Sequence, residues 1–300
     1  MSNATYTILE SRAPLAVTGD DSRDFLQGLI SNDTSKVTPD RTLYAALLTP
    51  QGKYLFDFFI GEMDGGLVLD CEAARLPDLI KRLTMYKLRA KAELTDRSTD
   101  LVVAAVTGDG AAEALGLLSD DTGATVPFGG GIAFIDPRLS AMGARAILPR
   151  DSAVNSLEAA GLSAAAAAEF EARRLELGLA DGSRDLIVEK STLLESGFDE
   201  LNGVDWQKGC YMGQELTART KYRGLVKKRL VPVSVDGPLP EPGTPVLRDG
   251  REAGELRSGV GDQALALMRI EQLEDSDNPL PFTAGDATLH PRLPAWAAIS

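Results

Sequence analysis

KGCYMGQELTARTKYRGLVKKRL, residues 208–230, is the stretch from which the rest of the chain is read. Gly209 and Gly213 permit backbone angles closed to other residues. "GQELTARTKY" (213–222) then reads as a helix, with Glu215 and Arg219 paired at i,i+4. Cys210 therefore precedes a helix N-terminus and has Lys208 close by in sequence. Both features favour a thiolate. A cysteine also serves as a small buried hydrophobe, and on the residues alone both readings stay open. A metal ligand is disfavoured, because the chain has no C-x-x-C or H-x-x-x-H spacing.

The second half of the stretch is basic. From Arg219 to Arg229, six of eleven residues are Arg or Lys, whereas from residue 230 onward 11 Asp/Glu stand against 5 Arg. Such a run is ordinarily a solvated face. Its spacing also suits a phosphate or a poly-carboxylate tail.

Downstream, "RLVPVSVDGPLPEPGTPVLRDGREAGELRSGV" (229–260) holds short β runs broken by Pro and Gly, the pattern of a small β-barrel. A boundary near 225–230 divides the chain into a region 1–225 and a barrel domain 226–300. Upstream, "SAAAAAEFEARRLELG" (163–178) predicts a helix capped by Ser163, with Glu169 and Arg173 at i,i+4. "TLYAALLTPQGKYLFDFFIGEMDGGLVLD" (42–70) predicts a three-strand meander with turns at Pro50-Gln51-Gly52 and Asp64-Gly65-Gly66. Residues 72–89 predict a helix with Leu76, Leu79, Ile80, Leu83 and Tyr86 on one side and Pro77 in its first turn. A short helix within 19–33, capped by Asp20 or Ser22, precedes the meander. Strands near 91–95, 101–106, 132–135 and 144–148 complete an α+β pattern. Gly108-x-Gly110 resembles a dinucleotide fingerprint, but Glu113 holds the third glycine position, so a tight strand-to-helix turn is favoured. "FGGGIAF" (128–134) reads as a hairpin.

The 300 residues, 44 % hydrophobic and 25 % charged, are those of a folded globular chain. A net charge of −13 excludes a general nucleic-acid binder, and no direct DNA binding is expected. Cys71 and Cys210 lie far apart, so reduced thiols are expected. His290 is the single histidine, which leaves no basis for Ser-His-Asp chemistry. No apolar run approaches the ~20 residues of a membrane helix, so no membrane partner is expected. The first twenty-one residues lack a basic n-region and carry Glu10, Asp20 and Asp21, from which a cytoplasmic protein is expected.

With these residues in view, 208–230 resembles the signature of the YgfZ-type folate-binding proteins, a group that includes mitochondrial iron–sulfur assembly factors and is related to the glycine-cleavage T-protein. "YKLRAKAEL" (86–94) and "RLELGLADG" (174–182) resemble further blocks of that family in the expected order. The resemblance implies a T-protein-like arrangement of three subdomains, the last a β-barrel, and tetrahydrofolate as cofactor. Glu176, in a segment matching the T-protein's pterin-binding block, would hold the pterin's polar edge. A carboxylate can accept two N–H donors there. Lys208, Arg219 and Arg223 would meet anionic parts of the folate. The T-protein's adjacent aspartate pair falls on "PQGKYLFDFF", where Phe56 takes the first position and Asp57 the second, so only Asp57 is left as a catalytic candidate. The cysteine is absent from the T-protein and would be the reactive thiol, with Lys208 beside it.

The resemblance implies a tetrahydrofolate-binding accessory factor for making or repairing iron–sulfur proteins, with iron–sulfur client proteins as partners. A folate-dependent aminomethyl or one-carbon transferase is the alternative. A third reading, from a different class, has Lys227 and Lys228 in a patch that meets tRNA or a partner protein.

Overall fold

The computed structural model describes residues 3–274 and 280–297. The last residues of the predicted barrel domain, 298–300, lie outside them. The chain divides into two compact units. The first comprises Met1–Leu48, Leu55–Phe170 and Leu201–Met212; the second comprises Thr49–Tyr54, Glu171–Glu200 and Gly213–Ser300.

The first unit is built on two sheets. One has five strands: β2 (Arg12–Thr18), β3 (Leu43–Leu48), β4 (Tyr54–Met63), β5 (Gly66–Glu72) and β6 (Glu93–Asp96), in the order β3-β4-β5-β2-β6. The other has six: β1 (Thr5–Ile8), β7 (Leu101–Thr107), β8 (Thr125–Phe128), β9 (Gly131–Ile135), β10 (Ala144–Pro149) and β11 (Ser163–Ala164), in the order β11-β1-β7-β10-β9-β8. The predicted meander is β3–β4–β5. β3 and the first eight residues of β4 are buried without alternation, as expected of strands covered on both faces. The β8–β9 hairpin turns at Gly129 (φ 56°) and Gly130 (φ 83°), where two successive left-handed residues match the strand twist.

Helices α1 (Ser22–Gln27), α2 (Leu76–Lys87), α3 (Ala111–Ala114) and α4 (Ala153–Ala159) complete this unit. α2 carries Pro77 in its first turn and buries Leu76, Leu79 and Leu83. It ends at Leu88, which has φ 45°, ψ −104° and is 89 % exposed. A leucine there carries strain of about 1–3 kcal/mol. α3 follows the Gly108–Gly110 turn, and both α3 and α4 pack Ala111, Leu115, Ala153 and Leu157 under the six-stranded sheet.

The second unit carries a closed barrel of β12 (Lys228–Asp236), β13 (Pro245–Arg248), β14 (Arg251–Val260), β15 (Gln263–Arg269), β16 (Phe282–Ala284) and β17 (Ala287–Pro291). β12 closes it by pairing with both β15 and β17. Val231, Val233, Leu256, Ala266 and Met268 fill its interior. Closure leaves no open sheet edge. Helices α5 (Ala167–Glu176), α6 (Gly182–Asp185), α7 (Gln214–Tyr222) and α8 (Ile270–Glu274) are the remaining helices of the described chain.

Three local readings differ from the sequence expectation. The alanine-rich helix does not start at Ser163. Ser163 and Ala164 run parallel to β1 as β11, and the helix α5 begins at Ala167. The β1 edge offers backbone partners that outweigh alanine's helical preference. Neither Asp20 nor Ser22 caps α1; Asp21 occupies the cap position without a side-chain cap, and its carboxylate accepts from the Lys91 N–H. α4 was not anticipated, because its apolar positions are too few to show a helical period.

Candidate functional site

The loop 205–212 is built on Asp205. Its Oδ1 accepts the N–H groups of Gln207 (2.8 Å) and Lys208 (3.2 Å). Its Oδ2 lies 2.6 Å from Lys36 Nζ. Burial pushes the Asp205 carboxyl up, but Lys36 and the two N–H groups outweigh it, and its pKa lies below the usual value. Upstream, Ser31 Oγ donates to the Gly203 carbonyl at 2.6 Å, and Asn32 Nδ2 donates to the carbonyls of Tyr44 and Asn202, each at 2.8 Å.

Lys208 locks the loop to the end of α1. Its Nζ donates to the carbonyls of Gln27 (2.8 Å), Ile30 (2.6 Å) and Asn32 (2.9 Å). An ammonium has three donors, so all are engaged, one of them on the last carbonyl of α1, where a cation is favoured. Burial lowers its pKa to about 8, against the pull of Asp33 and Asp205. Lys208 also sits 5.1 Å from the centre of the Tyr211 ring, and Tyr211 is buried. Met212 N–H donates to the Gly28 carbonyl.

Cys210 is therefore presented rather than packed. Lys208 and Tyr211 face inward on either side, and Gly209 and Cys210 are exposed. The buried-hydrophobe reading of Cys210 does not hold: Tyr211 takes the interior position. The other cysteine, Cys71, is buried and donates to the Ala13 carbonyl; burial raises its pKa far above a free thiol's.

Behind the loop lies a cavity of about 360 Å³, whose lining includes Lys36, Arg41, Tyr44, Asp205, Trp206 and Gln207. Tyr44 OH donates to Asp57 Oδ2 at 2.9 Å. Asp57 is buried and faces the layer between the two sheets. Its neighbour Phe56 lies on the opposite face of β4, with the Arg75 guanidinium 4.1 Å from its ring centre. Asp57 is thus a member of a buried polar layer.

The same layer holds an ion network that sequence reasoning missed. Arg12 pairs with Asp70 (2.6 Å), Asp70 with Arg145 (2.9 Å), Arg145 with Asp136 (3.4 Å) and Asp136 with Arg138 (2.8 Å). The Phe59 ring packs between them, 4.1 Å from Arg145 and 4.9 Å from Arg138. The available signal was single charged residues inside apolar strands, such as Asp70 in "LVLDC" and Arg145 in "GARAIL".

The remaining predicted residues lie in the second unit. Glu176, at the end of α5, is exposed and pairs with Arg173 at 2.8 Å. The buried charge of that segment is Arg174, bonded to Asp185 and Ser258, each at 2.8 Å, and to the Leu179 carbonyl. Arg219 pairs with Glu215, as expected. Arg223 is exposed at the end of α7. The basic run is not a continuous free strip: Lys221 pairs with Asp199 (2.9 Å) and Arg229 with Glu200 (2.7 Å). The Pro50–Gly52 turn nests against the start of α7. Gly52 has φ +74°, and a Cβ there would meet the Gly213 carbonyl oxygen at 2.8 Å.

Glu176, Arg219 and Arg223 are each of a kind that a folate would need, an acceptor and two cations, and Glu176 and Arg219 occupy separate ion pairs. Both pairs are exposed, and such pairs hold their partners weakly. Lys208 does not fit, since a ligand would have to displace a carbonyl from it. Among the described residues no group of three His, Cys, Asp or Glu side chains gathers to hold a metal ion. No helix among them is long and apolar enough to cross a membrane.

Comparison with known proteins adds the following. Residues 227–299 match the model of the CAF17 C-terminal beta-barrel domain. The chain is 33 % identical to the mitochondrial iron–sulfur cluster assembly factor IBA57 of Mus musculus, over 94 % of this chain and 81 % of that protein. It is 33 % identical to the IBA57 homologue of Mycosarcoma maydis, over 92 % of this chain and 77 % of that protein. The glycine cleavage aminomethyltransferase T of Bartonella henselae superposes with a TM-score of 0.77 at 15 % identity, covering 97 % of this chain and 85 % of that one. That likeness shows a shared fold. The YgfZ-type resemblance thus narrows to a related branch, the assembly factors. The cytoplasmic expectation is overturned, because these relatives are named as mitochondrial. Glu10, Asp20 and Asp21 lie in the turns that follow β1 and β2 and so report on the fold, not on the compartment.

Proposed function

The chain belongs to the IBA57 family of iron–sulfur cluster assembly factors, and from that membership we propose that it assists cluster assembly on client proteins through the thiol of Cys210. The observation that carries the thiol is its exposure between two inward-facing anchors, Lys208 and Tyr211. A thiol held this way meets a large partner without the backbone having to order first. Cys210 supplies a single sulfur ligand, so a cluster in transit would take its other ligands from the client or from a second assembly protein.

Tetrahydrofolate enters this reading as a bound ligand. Glu176 would accept from the amino-pyrimidinone edge, and Arg219 and Arg223 would take the carboxylates of its tail. Tetrahydrofolate would carry one-carbon units, and its reduced pterin ring would supply reducing equivalents. Lys208 would position the Cys210 loop. Aminomethyl transfer is not favoured, since Phe56 stands where the T-protein signature has its first aspartate and Asp57 faces a buried layer.

The test replaces the native gene by Cys210→Ser and measures the activity of a [4Fe–4S] enzyme in the same cells. Loss of enzyme activity, with the variant's melting temperature unchanged, is the expected result. Full activity with the serine variant would sink the thiol proposal. Calorimetric titration of tetrahydrofolate into wild type and Glu176→Ala tests the ligand; no heat with the wild type removes it.

A further inference from the structure

The C-terminal end of α2 presents a surface that nothing described so far uses. From Lys81 to Lys91 the chain carries Lys81, Arg82, Lys87, Arg89 and Lys91 and no carboxylate, in a molecule of net charge −13. Lys91 stands 3.9 Å from Asp20 in a fully open pair. Among the described residues Lys81, Arg82, Lys87 and Arg89 form no ion pair. Elsewhere in this unit Arg12, Arg23, Arg138 and Arg145 are all paired. Two large apolar side chains lie among the cations, Met85 at 61 % and Leu88 at 89 % exposure. Lys81 and Met85 follow at i and i+4 on the side of α2 away from buried Leu76, Leu79 and Leu83, and Leu88 caps the helix just beyond them. An adjoining depression is lined by Gly19, Asp20, Lys87, Ala90, Lys91 and Glu93, so that two carboxylates stand beside two of the lysines there.

Leu88 is disfavoured twice by the isolated chain. Its side chain is in water, and its backbone sits at φ 45°, where glycine is at ease and leucine is strained.

We propose that this end of α2 is a docking surface for a partner protein that presents carboxylates around an apolar side chain. The cations supply charge complementarity, and Met85 and Leu88 supply the desolvated centre. An anionic membrane is the weaker occupant. Two apolar side chains are too few to insert stably, and a bilayer would face the charge of the whole acidic molecule, whereas a protein segment meets only the patch. The surface uses residues distinct from the Cys210 loop, so it and the thiol proposal can fail separately.

The probe is a fluorescein-labelled helical peptide with glutamates on one face and leucines on the other, titrated against the full chain. Wild type binds, more weakly as salt rises. Leu88→Gly and the double variant Lys81→Glu, Arg89→Glu each weaken binding about tenfold or more. Leu88→Gly at the same time raises the melting temperature, because the strain is relieved; that separates lost binding from lost folding. Lys227→Glu, on the other basic run, leaves binding unchanged. The proposal is overturned if the peptide does not bind wild type, if binding follows Lys227 instead, or if Leu88→Gly binds as wild type. It is also overturned if vesicles of equal parts phosphatidylglycerol and phosphatidylcholine bind wild type and lose it with Leu88→Gly while the peptide does not.

Discussion

Asp205 shows how one carboxylate shapes the candidate site. It holds two backbone N–H groups on one oxygen and Lys36 on the other. Asp205→Asn keeps an acceptor and loses the charge, and is expected to cost about 1–2 kcal/mol, discounted because Lys36 is half exposed. The sign with pH follows from its lowered pKa. The unfolded chain takes up the proton first, near its ordinary pKa of about 3.9. The stabilisation is therefore complete above that value and is lost as pH falls through the folded pKa. Denaturant melts of the variant should show a shallower acid limb than wild type, with the difference between them vanishing at the lowest pH. Cys210 and Cys71 invite a second measurement. A thiol reagent should label Cys210 at once in the native protein and Cys71 only after unfolding; equal protection of both would contradict the exposed loop. Cys210 was visible in the sequence as a cysteine between glycines. Its exposure was not, because it depends on Lys208 turning inward to carbonyls at 27–32, far away along the chain, and on the burial of Tyr211.

At the scale of elements, most of the helices and strands were legible, because their signals are local. The α2 period, its first-turn Pro77, the glycines of the β8–β9 hairpin and the Pro/Gly rhythm of the barrel all act within a few residues. The alanine run is the informative exception. Read alone, Ser163 caps a helix; in the fold it begins β11, and Ala165 N–H donates to the Tyr6 carbonyl at 2.8 Å. The two readings predict different outcomes for Ala165→Pro. In the first turn of a helix proline is tolerated. On the β1 edge it removes a hydrogen bond, and a loss of about 1–2 kcal/mol is expected. Thermal unfolding distinguishes them: an unchanged melting temperature would restore the longer helix.

Across the whole first unit, the two sheets enclose a layer where an apolar core would be simpler. Arg12, Asp70, Arg145, Asp136 and Arg138 alternate in sign, with Phe59 among them and Asp57 bound to Tyr44. Removing a partner from such a network leaves a buried charge uncompensated, at about 3–5 kcal/mol. Asp70→Asn is expected to fall in that range by denaturant titration, whereas Asp20→Asn, in an open pair with Lys91, should be neutral within measurement. A small effect at Asp70 would mean that water reaches the layer. The sequence by itself determined the α+β class, the barrel at the C-terminal end, the three-strand meander and the cysteine loop as the part to watch, since periodicity, turn chemistry and a long signature are all encoded in neighbouring residues. Only the tertiary structure decided that Lys208 is an anchor, that Arg174 and not Glu176 is the buried charge of its segment, that Asp57 looks into a closed layer and that Cys210 looks out. Each of these is settled by which distant strand or carbonyl a side chain meets, and burial and pairing between residues scores of positions apart leave no periodic trace along the chain.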